Sequence, residues 1–313
     1  MRIVFATDLH GSEKCFRKFI NSAPFYKADV LVLGGDITGK AVCSIVKNGS
    51  TYHAELFGRS YALETEESVH EFEETVRFNG FYPYRCDPEE VTKLSDDQDY
   101  RDEVFLKAML EAKRAWISIA DERLEKSGIE CFAITGNDDA LGVDEVFGGA
   151  RHIHLINGQR ARFQDWEIFG YAVSNHTPWH SPREKDEAVI ADELLAQCRP
   201  EEVEARRLIL NVHIPPYNSN LDSAPELTED LRPRISGGEQ AMIPVGSQAV
   251  REFIERHQPL LGLHGHVHES RGVARIGRTL CLNPGSRYNE GALQAAIVDL
   301  KGNKVLNYQL VAG

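Results

Sequence analysis

The sequence predicts an α/β fold whose strands deliver polar side chains to one end of a sheet. Five short apolar runs stop abruptly on residues able to bind metal. Ile3-Val4-Phe5-Ala6 leads to Asp8 and His10, Val30-Leu31-Val32-Leu33 to Gly34-Gly35-Asp36, and Cys131-Phe132-Ala133-Ile134 to Gly136-Asn137-Asp138-Asp139. Leu208-Ile209-Leu210-Asn211-Val212 ends at His213, and Leu260-Leu261-Gly262-Leu263 at His264-Gly265-His266-Val267-His268. Such runs, closed by Gly, Asp or Asn, read as buried strands. Ligands of open α/β sheets bind at the carboxyl ends of strands, so the five ends are expected to meet. With 313 residues, 42% of them hydrophobic, the chain can bury a sizeable core. We read it as one domain, 1–313, with an insertion over 43–124.

Taken in order, the first strand and Gly11-Ser12 lead into a helix near Lys14 to Ser22, and the second strand follows at Asp29 to Leu33. Within the insertion, residues 52–57 and 59–63 read as a hairpin turning at Gly58. An acidic helix from Glu64 runs to a stop at Asn79-Gly80, and Phe81-Tyr82-Pro83-Tyr84 reads as a loop. Phe105, Met109, Ala112, Trp116 and Ile119, at three- and four-residue spacing, make the core stripe of a longer helix. After the third strand, Ile153–Ile156, Arg160–Phe163 and Trp166–Tyr171 read as antiparallel strands, with Asn157-Gly158 as a hairpin turn. A polar loop, Asn175 to His180, precedes a helix near Glu184 to Gln197. Strands are expected again at Thr279–Leu282, Ala295–Leu300 and Val305–Leu310.

The formal charge of -13 disfavours broad binding to nucleic acid or to an anionic membrane. The six cysteines form no CxxC pair and suit reduced thiols. The first apolar run is too brief for a signal-peptide core, and no stretch approaches a membrane span. A cytoplasmic protein is therefore expected.

Asp8-x-His10, Gly35-Asp36, Gly136-Asn137-Asp138, His213 and Gly265-His266-x-His268 together resemble, in order and context, the motif set of the calcineurin-like metallophosphoesterases. The resemblance covers roughly 1–42 and 128–313 and leaves the insertion unexplained. It implies a four-layer α-β-β-α sandwich of two mixed sheets with flanking helices. It also implies two divalent metal ions, with Asp36 bridging. Asp8, His10, Asp36 and His268 would hold one ion; Asp36, Asn137, His213 and His266 the other. A water or hydroxide between the ions would attack phosphorus directly, with no covalent protein intermediate. Carboxylate, amide and imidazole donors without thiolate suit manganese, iron, zinc or nickel better than calcium or magnesium. His264 is expected to serve the strand or support a ligand, and His53, His70, His152, His154 and His257 to be surface or packing residues. Asn283-Pro284-Gly285-Ser286 is a turn that in the family often lies close to the metals.

One position departs from the family pattern. Many relatives carry a histidine after the ligand asparagine, where it can protonate a leaving group; this chain has Asp138. Beside two cations an aspartate is ionised and a poor proton donor. This points to a phosphodiesterase acting on a small soluble, nucleotide-like substrate, with His176 and His180 as candidate proton donors. The competing readings are a phosphomonoesterase or protein phosphatase, a nuclease, and a non-catalytic interaction scaffold. The insertion, with Tyr52, Phe57, Tyr61 and the 81–84 loop, is expected to govern substrate choice or assembly into a homo-oligomer.

Overall fold

A computed structural model describes residues 1–313. Two six-stranded sheets lie face to face. The first contains β1 (Arg2–Ala6), β2 (Val30–Gly34), β7 (Glu130–Ile134), β8 (Ile153–Leu155), β19 (Gln294–Lys301) and β20 (Lys304–Ala312), in the order β20-β19-β1-β2-β7-β8. The second contains β9 (Arg160–Phe163), β10 (Trp166–Tyr171), β11 (Leu208–Val212), β16 (Leu261–Leu263), β17 (Gly272–Ile276) and β18 (Thr279–Asn283), in the order β17-β18-β16-β11-β10-β9. Helices α1 (Glu13–Tyr26) and α4 (Gln98–Glu125) cover the first sheet, and α5 (Glu187–Cys198) and α6 (Gln248–His257) the second.

Strand alternation makes the layers. Along β1, Ile3 and Phe5 face the other sheet while Val4 and Ala6 face α1 and α4. Residues Ile3 to Ala6 are 0% exposed, which is why the run is apolar at every position. The space between the sheets is filled by Val30, Val32 and Ile134 against Ile168, Ile209 and Leu263. Beneath the second sheet, Leu208, Leu210 and Val212 pack on Leu194, Val250 and Phe253. Three apolar layers separate four structural ones, as the resemblance implied. No helix is long and apolar enough to cross a membrane, and all six cysteines are free and buried.

Between β2 and β7 lies a four-stranded sheet, β5-β4-β3-β6, made of β3 (Val42–Asn48), β4 (Thr51–Leu56), β5 (Arg59–Leu63) and β6 (Tyr82–Cys86). Helix α2 (Glu66–Phe78) packs Val69, Phe72 and Val76 on Ile45 and Leu56. The hairpin at Gly58 and the helix stop at Asn79 agree with the sequence reading. Strand β3 and helix α3 (Pro88–Asp96) were not anticipated, and the expected 81–84 loop is strand β6, parallel to β3. As an edge strand, β6 can carry Pro83 without breaking a central ladder. Helix α4 belongs to the main core, where Trp116 stacks on Phe16 at 4.3 Å.

Two further expectations need correction. Helix α1 continues past Ser22 to Tyr26, with Pro24 in its last turn. The Asn157-Gly158 pair does not turn a hairpin, since β8 lies parallel to β7 in the first sheet and β9 antiparallel to β10 in the second. The chain crosses between sheets there. Asn157 pins the crossing: its Oδ1 accepts from the Thr135 amide (3.1 Å), and its Nδ2 donates to Thr135 Oγ1 (2.7 Å) and Asp144 (3.0 Å). Between β11 and α6, two short ribbons pair β12 (Ser223–Pro225) with β15 (Met242–Pro244), and β13 (Ile235–Ser236) with β14 (Glu239–Gln240).

Candidate metal centre and substrate cavity

The five strand ends do converge. Parallel pairing places β1, β2 and β7 side by side, and β11 beside β16 in the opposing sheet. The loops that follow are stitched together: the Asp8, His10 and Gly11 amides donate to the Gly35, Asp36 and Ile37 carbonyls at 2.9, 2.9 and 3.1 Å. Asp8, His10, Asp36 and His266 all have left-handed backbone, with φ of 54°, 39°, 47° and 65°. For residues other than glycine that conformation costs about 1–2 kcal/mol each, so the surrounding bonds must hold it. A Cβ on Gly136 would collide with the Asp36 carboxylate, and Gly35, at φ 102°, lies against His213.

Two ligand-type clusters result, each with its donor atoms within 4.8 Å of one another, Asp8, His10 and His268, and Asp36, His213 and His266; a third group of the same kind, His10, Asp36 and Asp138, spans them. Nε2 of His10 faces Nε2 of His268 at 2.9 Å, and His268 Nε2 lies 3.4 Å from Asp8 Oδ1. Asn137 Oδ1 lies 3.0 Å from His213 Nε2 and 2.7 Å from His266 Nδ1. Asp36 Oδ2 stands between the clusters, 3.7 Å from His10 Nε2 and 3.5 Å from His213 Nε2. The seven residues expected from the sequence to hold metal thus lie close together, with Asp36 between Asp8, His10 and His268 on one side and Asn137, His213 and His266 on the other.

The donor set fits divalent cations. Its four imidazoles divide into two kinds: against the effect of burial, Asp36 raises His213 and Asp8 raises His268, whereas His10 and His266 are lowered. Burial pushes His10 well below its ordinary value and His266 down to about 3, so both are neutral imidazoles, the form that ligates metal. Nδ1 of His213 lies 2.8 Å from the Gly34 carbonyl and can donate to it, aiming Nε2 at the cluster. Burial raises the Asp36 carboxyl to about 6 against the pull of His213, a strong incentive for a neighbouring cation.

Several supporting residues escaped the sequence reading. Asp139, 0% exposed, accepts from the Ile37 and Thr38 amides, Thr38 Oγ1 and the Gly136 amide, locking the Asp36 loop to the Asn137 loop. Its only signal was its place in the Asn-Asp-Asp run. Arg183 donates to the Asp139 and Ala140 carbonyls and to Asp144, and Thr7 donates to Asp8 at 2.7 Å. The Asn-Pro-Gly-Ser turn braces the last motif: Asn283 donates to the Gly265 and Val267 carbonyls, and Ser286 to the Asp8 carbonyl at 2.6 Å. His264 is buried, with Nδ1 at 2.9 Å from the Val212 carbonyl, and stands in neither ligand cluster.

Asp138 lies at the cluster edge, where its amide donates to Asp36 Oδ1 (3.0 Å). Its carboxylate pairs with Lys40 (3.0 Å) and accepts from Ser181 (2.6 Å). Burial opposes its ionisation, but Lys40 and Ser181 hold the carboxyl down to about 2. A cavity of about 860 Å³ opens above the cluster. His176 borders it, with Nε2 at 2.9 Å from Asp186; His180 does not border it. No residue between 43 and 124 does so either. The lining is completed instead by Trp179 and the ribbon segment around 224–245, a stretch that carried no sequence expectation.

No family model matches the chain. An uncharacterised protein of Methanocaldococcus jannaschii is 28% identical over 159 residues, covering 50% of this chain and 64% of its own length. The chain therefore spans less than two thirds of that relative. Two solved structures align along nearly the whole chain. One, a protein of Thermus thermophilus, has a TM-score of 0.53 at 14% identity and covers 100% of this chain and 97% of its own. The other has a TM-score of 0.55 at 15% identity, with coverages of 99% and 98%. These two likenesses show a shared fold, and the four layers with polar motifs at the strand ends are the arrangement that the sequence resemblance implied.

Proposed function

We propose that this protein is a metal-dependent phosphoester hydrolase that favours phosphodiesters of small molecules. The observation that carries the reading is the paired cluster: seven lone-pair donors from five strand ends, arranged as two groups with Asp36 between them. Asp8, His10, Asp36 and His268 would hold one divalent ion, and Asp36, Asn137, His213 and His266 the other. Bound there, manganese, iron, zinc or nickel would supply a nucleophile at neutral pH and neutralise the charge of a phosphoryl group. The chain's own part is to fix these side chains through Asp139, Thr7 and Asn283 at the strand ends of two packed sheets.

Asp138 supports the diester preference. Paired with Lys40 and Ser181 it is an anion with no proton to give, and leaving groups that need one would suffer most. His176, at the cavity border, is better placed than His180 to serve as a proton donor. The test is metal analysis of the purified protein together with turnover of bis(p-nitrophenyl) phosphate and p-nitrophenyl phosphate. About two ions per chain and faster diester hydrolysis are expected. A protein that binds no transition metal, or that cleaves neither ester when loaded, would refute the reading.

A further inference from the structure

The cavity above the cluster is much larger than a phosphate requires, and its two sides differ in chemistry. The floor consists of Asp36, Asn137, His266 and His268. The rest of the lining, its wall, presents Trp179, Leu231 and Ile243, large apolar side chains that are 65%, 48% and 39% exposed. Resting on the hydrolase reading above, we infer that the preferred substrate is a phosphodiester with a single phosphate and one bulky apolar substituent, which this wall selects.

Charge narrows the class. The lining contains one lysine or arginine, Lys40, already paired with Asp138 at 3.0 Å, while Glu269 adds negative charge and Glu226 is paired with Arg234 at 3.3 Å. One phosphate meets the metal-binding side chains; a second would find the Glu269 carboxylate and, in the lining, no unpaired lysine or arginine. A nucleoside polyphosphate is therefore a poor fit. The wall is also secured at its root. The Asp222 carboxylate, 1% exposed, accepts from the Asn218, Ser219 and Gly246 amides at 2.7, 3.0 and 3.1 Å. The Thr177 amide donates to Glu184 at 3.0 Å, and the Trp179 amide to Thr177 Oγ1 at 3.2 Å. Exposed apolar surface beside a polar reaction centre, on fixed supports, is the arrangement of a pocket that binds by apolar burial and orients by a few polar groups.

The test uses the full-length, manganese-loaded protein and three diesters that share a p-nitrophenolate leaving group: methyl, octyl and 1-naphthyl p-nitrophenyl phosphate. The octyl or naphthyl ester should exceed the methyl ester in kcat/KM by about tenfold or more, chiefly through KM. A gain for both reads as general apolar binding, and a gain for naphthyl alone as stacking on the Trp179 indole. Trp179→Ala and Ile243→Ser should each lower the preferred-to-methyl ratio by about fivefold. Equal efficiency on all three esters, or a ratio that neither variant moves, would overturn the inference while leaving the proposed hydrolysis intact. If no ester is cleaved, the proposed chemistry fails, and the wall is then read by binding alone. Saturable quenching of tryptophan fluorescence by non-hydrolysable naphthyl methylphosphonate, lost in Trp179→Ala, would still support it; absence of quenching would overturn it.

Discussion

On the floor of the cavity Asp36 and Asn137 are 3% and 2% exposed, whereas on its wall Trp179, Leu231 and Ile243 are 65%, 48% and 39% exposed. The floor hangs on parallel strands packed on both faces, and each of its loops is tied to another. The wall hangs on ribbons as short as two paired residues. The contrast fits a division of labour in which chemistry demands fixed geometry and selection demands accessible surface. If so, substitutions in the floor should alter metal binding and rate together, and those in the wall should alter discrimination.

The largest effect is expected at Asp36. Asp36→Asn keeps the shape but removes the charge between the two clusters, so metal content should fall and turnover drop by at least about a hundredfold, beyond the loss typical of an outer-shell change. Elemental analysis with undiminished turnover would break the assignment of the floor to metal chemistry. Asp139→Ala comes next. It orphans the Ile37, Thr38 and Gly136 amides at once, and should cost about 2–3 kcal/mol of stability together with a 10- to 100-fold loss of metal affinity. Denaturant titration of the metal-free and metal-loaded forms separates the two effects.

At the boundary between floor and wall, Asp138→His should raise monoester relative to diester hydrolysis by about tenfold, the low end for an added general acid. It should do so most for alkyl leaving groups. An unchanged ratio would shift attention to His176.

The same contrast explains what could be read from the sequence. The floor was legible because burial on both faces forces an unbroken apolar run, and a ligand at the strand end interrupts it abruptly, as at Ala6 before Asp8 and Val212 before His213. Asp139 was less legible, since a buried carboxylate that only accepts hydrogen bonds from neighbouring loops looks like any turn residue. The wall was silent because Pro225, Pro233 and Pro244 break its periodicity and its pairs are too short to alternate. Asn157-Gly158 misled in the opposite direction: a good hairpin pair was used to cross between sheets, its side chain spent on Thr135 and Asp144. Pro83 hid an edge strand for the same reason that an edge tolerates it.

Beneath the floor, Lys113 gives a test that needs no substrate. Its Nζ donates to the Ile37 carbonyl (2.8 Å) and lies over the Trp116 ring, and burial drives the amine well below its ordinary value of 10.5. Between the depressed folded value and 10.5 the unfolded chain binds the extra proton. Stability should therefore rise with pH through that window, be fully present above it, and be lost as pH falls through the folded value. Lys113→Met should flatten the rise, by up to about 1.4 kcal/mol per pH unit. Parallel profiles for the two proteins would mean that the amine stays charged in the folded state.

The smallest effect on the folded protein should come from the wall. The Glu226, Arg234 and Ala241 amides donate to the Ala241, Glu226 and Arg234 carbonyls at 2.8, 2.7 and 2.9 Å, but Arg234 and the β13–β14 ribbon are exposed and belong to none of the apolar cores. Opening them uncovers little apolar area, so the opening free energy should be near zero. In β11 the same kind of bond lies between two packed layers, and breaking it requires unpacking Ile209 and Leu210, each 0% exposed. Ile243→Ser should change stability by no more than about 0.5 kcal/mol, against about 2–5 kcal/mol for Ile209→Ala. Amide hydrogen exchange measures the difference directly: residues 226–241 should exchange almost at the rate of an unfolded chain, and those of β11 only on global unfolding. Strong protection across 226–241 would show that the ribbon beyond the wall's fixed root is as firmly built as the floor, and the contrast between the two regions would fail.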